Sequence, residues 1–593
     1  MGRWHSPRRA PGLIQGRGPC QQPEGFAIAQ PAKSARFFEA AAKRPFAALF
    51  VLCALLWLPG LFSLPPLDRD ESRFAQSSKQ MLETGNFIDI RFGFVPRYKK
   101  PAGIYWLQAA STAIAGFGER THIWTYRLPS FFGGLIAAWL TFWLARAIAP
   151  PVTAFTAAAL LAGTLLLSAE STIATTDAVL LATIVGAQGV LLRAYLATRD
   201  PARPPLPWAI ALAGWAAVGV GILVKGPVTP GVCILTAAVL SFWDRDGRWL
   251  RATRPLAGIG VLLLIVLPWL IAIWIQSHGA FFTQSLGNDF ASKLAGGQET
   301  HGAPPGYYLA LVSAALWPAT LFLIPAIAFA VMRREAPAVR FLIVWAASVW
   351  VAAEIVPTKL PHYVLPAYPA LTVLMALWIS SEVTLKRERW LAIAAVVQYG
   401  LGTLAIAAAP IVAAILYAGH APVWLVIASA IGATIGLVAI PRFLKGDAPG
   451  AIGFSVAAAI VLYAVLTLGA APLLQKLWVS PRAAALVAKD TRPGDPPVVL
   501  AGYEEPSLVF LLGTNTRLAV DGSAAADAVA DAGGLALIER KERDSFANRL
   551  AEMGAEVVRL DTLSGLNYSR GKPVTIDVYR VEPVHQVIAP PAE

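Results

Sequence analysis

The chain has 593 residues, of which 56% are hydrophobic and only 14% are charged, whereas a typical globular domain carries about 25% charged residues. A soluble layered core cannot bury this much apolar surface, and a disordered chain needs the opposite composition, so the sequence indicates an integral membrane protein. The net charge of +13 would suggest nucleic-acid binding in a soluble protein. Here the basic residues fall in particular loops between apolar runs, and we expect no nucleic-acid partner.

Apolar runs near the length of a spanning helix occur at about thirteen places. They cover residues 46–64, 128–149, 152–168, 176–195, 207–224, 227–243, 255–276, 306–331, 338–356, 362–380, 389–417, 421–441 and 450–473. The basic tail before them, residues 1–45, is expected to be disordered. It is too long and too basic for a cleaved signal peptide, so we expect the first helix to remain as an anchor.

Basic residues cluster after the even-numbered apolar runs from the fourth onward, as the positive-inside rule requires of cytoplasmic loops, whereas the loop after the second run offers only Arg146. They are Arg193, Arg199 and Arg203 after the fourth run, Arg245, Arg248, Arg251 and Arg254 after the sixth, Arg333, Arg334 and Arg340 after the eighth, Lys386, Arg387 and Arg389 after the tenth, and Arg442 and Lys445 after the twelfth. The N-terminus is therefore predicted to be cytoplasmic. The odd-numbered connections and the region after Leu473 are predicted to lie outside.

Beyond residue 473 the composition becomes that of a soluble domain, with Pro and Gly between its segments. Apolar runs at 498–503, 507–513, 535–540 and 574–580 alternate with helical stretches at 522–532 and 542–553. We therefore expect three parts: the tail 1–45, a multi-span domain 46–473, and a small external α/β domain 474–593.

The first external loop, residues 65–127, collects polar and aromatic side chains. Asp70 and Glu71 open a stretch with helical spacing, where carboxylates favour a helix N-terminus, and this predicts an interfacial helix over 70–82. Later in the loop, cations alternate with aromatic rings in a mixture that seats a segment at the level of the lipid headgroups. These residues include Arg97, Tyr98 and Lys100.

Asp70 has two interpretations. It can cap the interfacial helix, with Glu71 in solvent. Alternatively, it can serve as a base or electrostatic stabiliser toward a membrane-borne substrate, with Arg73 one helical turn away to hold a phosphate or to fix the carboxylate.

Further polar residues gather at the same predicted face of the membrane. Asp177 begins the fourth helix, where it can act as a cap, and Lys225 ends the fifth, where it can snorkel to water. Other external loops contribute Asp289, His301, Lys359, His362 and Tyr363. Acid, cation and tyrosine side chains from several loops around one surface indicate a site better than any member does alone, and a lipid-linked anion is its natural ligand.

Several segments, in order along most of the chain, resemble the signatures of bacterial GT-C glycosyltransferases related to protein O-mannosyltransferases and to the aminoarabinose transferase of lipid A. They read DRDESRFAQSSKQMLETGNF, RYKKPAGIYWLQAAS, TTDAVLL, LVKGP and TKLPHYVLPAYPAL, followed by GYEEPSLVFLLG and NYSRG near the C-terminus. The resemblance implies an α-helical enzyme of the bacterial inner membrane whose active site faces the periplasm. Such an enzyme takes a sugar from a polyprenyl-phosphate carrier and transfers it with inversion.

The resemblance also implies roles for individual residues. Asp70 matches the family's catalytic carboxylate, and Glu71 is taken with it as the catalytic pair. The residues expected to bind the donor phosphate or the substrates are Arg73, Arg97, Tyr98, Lys100, Asp177, Lys225, Lys359, His362 and Tyr363.

One departure from the family concerns metal binding. Where the aminoarabinose transferases have Glu in FEKP, this chain has Lys99 in YKKP. An ammonium group repels a cation that needs carboxylate or imidazole ligands. We therefore expect no prosthetic group and no required metal; Asp289 and His301 are the first candidate ligands if one binds.

The predicted function is sugar transfer from a polyprenyl-phosphate donor to an envelope acceptor such as lipid A or core oligosaccharide. The same motifs allow a protein O-glycosyltransferase. A multi-span solute transporter would bury its charges at mid-membrane on broken helices, whereas here the charges gather at the outer helix ends. A purely structural scaffold does not account for the clustered acid and bases.

Overall fold

A computed structural model describes residues 33–290, 303–381 and 389–583 of the chain. The helices of the membrane part are α1 (Lys33–Lys43), α2 (Pro45–Ser63), α3 (Asp70–Thr84), α4 (Gly103–Ala115), α5 (Ile123–Ala145), α6 (Pro151–Gly163), α7 (Leu165–Thr172), α8 (Asp177–Ala197), α9 (Trp208–Lys225), α10 (Val228–Asp244), α11 (Pro255–Ser277), the single turn α12 (Ala280–Phe282), α13 (Tyr307–Ala315), α14 (Leu323–Met332), α15 (Pro337–Ile355), α16 (Tyr368–Ile379), α17 (Arg389–Ala418), α18 (Val423–Leu444) and α19 (Ala448–Ala464).

Among the described residues, ten helical segments are long and apolar enough to cross a membrane, or up to twelve if each of two bent pairs forms one span. The bent pairs are α6 with α7, at 64°, and α13 with the helical segment Ala319–Met332, at 114°. A shorter apolar helix, α10, lies between α9 and α11. Each apolar run in the sequence coincides with one of these segments, and the multi-span α-helical fold is confirmed.

The end of the N-terminal tail differs from the prediction. Residues expected to be disordered form the helix α1, which is amphipathic: Phe38 is buried while Phe37 is 69% exposed. Phe38 packs edge-on against Phe155 of α6, with ring centroids 6.1 Å apart. Burial of this apolar face is the physical reason for the helix. Residues 1–32 lie outside the described part of the chain.

The first external loop contains the expected helix as α3, which ends at Gly85 with a positive φ of 71°. A short antiparallel hairpin, β1 (Arg91–Phe92) with β2 (Val95–Pro96), and then α4 follow it. Residues from Ser72 to Met81 of α3 are buried, except Arg73. The helix lies between α4 and the C-terminal domain, so protein covers it where the sequence suggested lipid headgroups.

The C-terminal domain is α/β, as predicted. Its elements are α20 (Val479–Asp490), β3 (Val499–Ala501), α21 (Pro506–Leu512), β4 (Arg517–Ala519), α22 (Gly522–Ala532), β5 (Gly534–Glu539), α23 (Arg543–Met553), β6 (Val557–Asn567) and β7 (Lys572–Val581). The sheet has the order β4-β3-β5-β7-β6. Strands β4, β3 and β5 are parallel, and β7 is antiparallel to both β5 and β6. The apolar run at 507–513 forms the helix α21, which has Pro506 in its first turn.

The C-terminal domain packs directly on the first external loop. The fully buried Phe510 of α21 belongs to one apolar cluster with Ala75 of α3 and Tyr126 of α5. Its ring meets that of Tyr126 edge-on at 5.5 Å, and the Lys79 ammonium lies 5.5 Å from the Phe510 ring centroid. This anchor places the domain against the loop that carries Asp70.

Candidate active site

A cavity of about 730 Å³ opens between the membrane helices and the first external loop. Apolar side chains line most of it, among them Leu180, Ile222, Val232, Leu235, Leu270 and Phe281. Its polar lining residues include Lys99, Lys100, Asp177, Lys225, His362 and Tyr363. An apolar pocket with a few convergent polar groups is the usual form of a ligand site, and this one suits a ligand with a long apolar part and a charged head.

Lys225 and Asp177 form a close ion pair at this cavity. The Lys225 Nζ lies 2.6 Å from Asp177 Oδ1, and the two side chains are only 12% and 8% exposed. Asp177 is the first residue of α8, and no side-chain hydrogen bond caps that helix. The Lys225 ammonium contacts a carboxylate and lines the cavity. Capping and snorkelling, the structural alternatives for these residues, therefore do not describe them.

His362 lies between two carboxylates. Its Nδ1 is 3.6 Å from Glu170 Oε1, and its Nε2 is 3.9 Å from Asp177 Oδ1. Glu170 is buried and accepts a hydrogen bond of 2.9 Å from the Thr175 hydroxyl. Sequence reasoning missed Glu170, although an acid in the apolar α7 is the kind of residue that marks functional sites in membrane proteins.

Asp70 is an accessible carboxylate at the start of α3. It is the first residue of α3, its side chain is 68% exposed, and its Oδ1 lies 3.9 Å from the Arg97 guanidinium. No side-chain hydrogen bond caps α3, so the capping interpretation fails for Asp70 as well. Arg73, partly buried, follows one turn later on α3.

Glu71 has surroundings unlike those of Asp70. Both of its carboxylate oxygens accept hydrogen bonds from Arg127, at 2.7 Å and 2.9 Å, and both residues are buried. The carboxylate also accepts the backbone N–H groups of Leu67 and Ala174, each at 2.8 Å. Glu71, predicted as half of a catalytic pair, is thus occupied in holding two loops to α5. Its partner Arg127, a basic residue in an apolar helix, was not singled out in the sequence.

Arg97 and Tyr98 shape the loop beside Asp70. The buried Arg97 guanidinium lies 5.3 Å from the Phe74 ring centroid. The Tyr98 hydroxyl donates to Asp89 at 2.7 Å, and burial together with this bond raises the pKa of Tyr98 to about 12. Tyr98 is therefore neutral and holds the loop, and its hydroxyl is already engaged away from the cavity.

Lys359 does not reach the cavity, contrary to the prediction that it binds the donor phosphate. Its ammonium donates to the backbone carbonyls of Ala353, at 3.0 Å, and Glu354, and it lies 3.6 Å from the Glu354 carboxylate. The positive charge therefore sits at the C-terminal end of α15, where helix carbonyls have no intrahelical partners. Tyr363, in the 3₁₀ helix Pro361–Ala367, does line the cavity.

Lys99 and Lys100 both line the cavity. Lys99 is the residue that stands where the aminoarabinose transferases have Glu. Lys99 is exposed and Lys100 is partly buried, and both add positive charge beside Lys225. Of the two candidate metal ligands, the side chain of Asp289 and the whole of His301 lie outside the described residues.

Comparison with known proteins confirms the resemblance seen in the sequence. Residues 99–274 match the family described as dolichyl-phosphate-mannose-protein mannosyltransferase. An undecaprenyl phosphate-alpha-4-amino-4-deoxy-L-arabinose arabinosyl transferase of Pseudomonas aeruginosa is 30% identical over 376 residues, which are 60% of this chain and 64% of that protein. The transferase of the same name from Pectobacterium atrosepticum is 29% identical over 359 residues, or 58% and 60% of the two chains. The chain thus spans about three fifths of the length of these relatives.

Solved structures share the fold over nearly the whole chain. The crystal structure of ArnT from Cupriavidus metallidurans bound to undecaprenyl phosphate superposes with a TM-score of 0.69 and 18% identity, covering 92% of this chain and 97% of that one. The archaeal oligosaccharyltransferase AglB from Archaeoglobus fulgidus gives a TM-score of 0.51 at 12% identity, covering 94% and 76%. The superpositions show that these proteins share one architecture with this chain.

Proposed function

We propose that this chain belongs to the GT-C superfamily of protein mannosyltransferases and aminoarabinose transferases and that it transfers a sugar from a polyprenyl-phosphate carrier to an acceptor of the bacterial envelope. The observation that carries the proposal is the cavity, which has mostly apolar walls and the cluster of Lys225, Asp177 and His362. That distribution matches a polyprenyl chain joined to a phosphate.

In this proposal the donor phosphate binds at Lys225 and Lys100. Asp177 fixes the Lys225 ammonium through the 2.6 Å bond, so the cation is oriented before the substrate arrives. The phosphate gains negative charge as the sugar departs, and cations held in a partly dehydrated site stabilise that charge strongly. Charge stabilisation is therefore the largest catalytic contribution we assign to these residues.

Asp70 is the proposed catalytic carboxylate. An inverting transfer needs a nucleophilic oxygen on the face of the sugar opposite the departing phosphate, and Asp70 can remove the proton of an acceptor hydroxyl. If the acceptor oxygen belongs to a phosphate, the same carboxylate has only to position it. The exposed Asp70 suits this role, whereas the enclosed Glu71 acts as a positioning residue.

The proposed acceptor is an envelope glycolipid such as lipid A or its core oligosaccharide, reached at the periplasmic face of the inner membrane. The names of the relatives give an undecaprenyl phosphate-linked sugar donor, and the glycolipid acceptor is what the resemblance to the aminoarabinose transferase of lipid A implies. The basic loops favour a cytoplasmic N-terminus and so support a periplasmic site. A protein acceptor is the second candidate, because the matching family is described as a protein mannosyltransferase family.

Mass spectrometry of envelope lipids from a deletion strain of the source bacterium tests the proposal. We expect one sugar to be missing from a glycolipid. The mass that is lost will identify the sugar, and the lipid that loses it will identify the class of acceptor. Unchanged glycolipids beside an altered glycoprotein would favour the second candidate. Unchanged glycolipids and glycoproteins would contradict sugar transfer altogether.

A further inference from the structure

The segment that leads into Asp70, residues 64–69, is held from the membrane side by one arginine. Arg127 donates hydrogen bonds to the backbone carbonyls of Leu61 at 2.9 Å, Leu64 at 2.7 Å and Pro65 at 2.9 Å. These contacts, with the Glu71 ion pair, fix the first half of the segment. They do not reach Asp68 or Arg69.

The C-terminal domain holds the second half of the segment. The Asp68 backbone N–H donates to the Tyr568 hydroxyl at 2.7 Å, and the Ser507 hydroxyl donates to the Asp68 carboxylate. The Arg69 guanidinium donates to the backbone carbonyl of Ser569. The two residues directly before Asp70 are therefore bound by a domain that lies more than 400 residues further along the chain.

The groups that hold Asp68 are themselves fixed. Ser507 lies at the start of α21, and its hydroxyl is 2.6 Å from that of Ser480. Tyr568 packs edge-on against Trp478, with ring centroids 6.2 Å apart. Hydroxyls with fixed partners hold a loop better than mobile ones, because less conformational entropy is lost when they bind.

The backbone at this point is strained. Arg69 has φ 64° and ψ −110°, a combination that a residue with a Cβ seldom adopts, and such conformations persist only where the surroundings impose them. Burial, together with the nearby Glu505, also raises the pKa of Asp68 to about 6. The backbone of Arg69 therefore marks a segment whose conformation is imposed by its surroundings, which include the C-terminal domain.

We infer that Ser507 and Tyr568 are positioning residues for Asp70, so that the docked C-terminal domain sets the geometry of the catalytic carboxylate. The inference rests on the proposed function, since it gives Asp70 a catalytic task. It adds that the active site is complete only when the C-terminal domain is docked on the membrane domain.

Tyr568→Phe and Ser507→Ala in the purified full-length protein test the inference. Each removes one hydroxyl and leaves the apolar contacts of the interface in place. Thr514→Val is the matched control, because Thr514 also makes interdomain hydrogen bonds, to Gln76 at 2.7 Å and to Glu83. Both of those partners lie on later turns of α3, away from Asp70.

Hydrogen exchange and transfer kinetics are measured on the same samples. We expect the Asp68 amide of Tyr568→Phe to exchange about fivefold faster or more, since a hydrogen bond is worth about 1 kcal/mol. We expect kcat to fall about tenfold or more in Tyr568→Phe and Ser507→Ala with the donor KM unchanged. Thr514→Val should match the wild type in exchange at Asp68 and in kcat.

Three other outcomes would contradict the inference or the proposed function. Unchanged exchange in Tyr568→Phe would show that the domain does not hold the segment, and would overturn the inference. Faster exchange with wild-type kcat would overturn the positioning role and leave the proposed function intact. A wild type that transfers no sugar would defeat the proposed function, whereas the exchange data would still decide whether docking holds Asp68.

Discussion

Two lysines with the same expected role differ in what their ammonium groups contact. The Lys225 ammonium meets an acid at the cavity, whereas that of Lys359 binds backbone carbonyls at the end of α15. Sequence reasoning treated them alike because both end a helix at the same predicted face of the membrane. Their side-chain directions depend on contacts with other helices, which the local sequence does not encode.

The difference predicts opposite effects of the same substitution. Lys225→Met should lower kcat/KM for the donor about tenfold or more, since hydrogen bonds to charged groups contribute about 1.5–3 kcal/mol. Lys359→Met should leave the donor KM unchanged and lower the melting temperature in detergent. Steady-state kinetics with varied donor and a thermal melt of each variant check this. A donor KM defect confined to Lys359→Met would contradict the assignment.

At the scale of elements, α3 and α5 are joined by the ion pair of Glu71 and Arg127. Both side chains are buried, and the carboxylate and guanidinium also satisfy backbone groups of two loops. A buried pair of this kind is costly to break from one side, because the remaining charge then has no partner. The pair therefore fixes the position of the loop that precedes Asp70.

Arg127→Met should destabilise the protein by about 3–5 kcal/mol, because Glu71 is left as an unpaired buried charge. The double variant Glu71→Gln with Arg127→Met buries no charge and should melt at a higher temperature than Arg127→Met alone. Thermal unfolding in detergent, followed by tryptophan fluorescence, measures both. A double variant no more stable than the single one would show that charge burial is not the cause.

The spans and their order were predictable from the sequence, whereas most contacts of the site were not. A spanning helix needs an uninterrupted apolar run of a set length, and that signal is local. The contacts of Glu170 with His362, of Glu71 with Arg127, and of Asp68 with Ser507 join residues far apart in the chain. The family motifs located Asp70, Asp177 and Lys225, but did not show which acids are engaged and which are accessible.

At the scale of the whole molecule, positive charge from Lys99, Lys100 and Lys225 meets at one cavity. We predict from Lys99 that transfer does not require a divalent metal, because an ammonium at that position repels the ion and supplies a positive charge of its own. Transfer assays with and without a chelator check this. Loss of activity on chelation, restored by zinc or manganese, would contradict the prediction and direct attention to Asp289 and His301.

We propose above all that the protein transfers a sugar to an envelope acceptor and that Asp70 is its catalytic carboxylate. The most direct test is mass spectrometry of envelope glycolipids from a deletion strain complemented with the wild type or with Asp70→Asn, at equal amounts of membrane protein. The amide keeps the shape of the side chain but loses the base, which should cost about 10²–10⁴ in rate. We predict that the wild type restores the missing sugar and that Asp70→Asn does not; full restoration by Asp70→Asn would contradict the account.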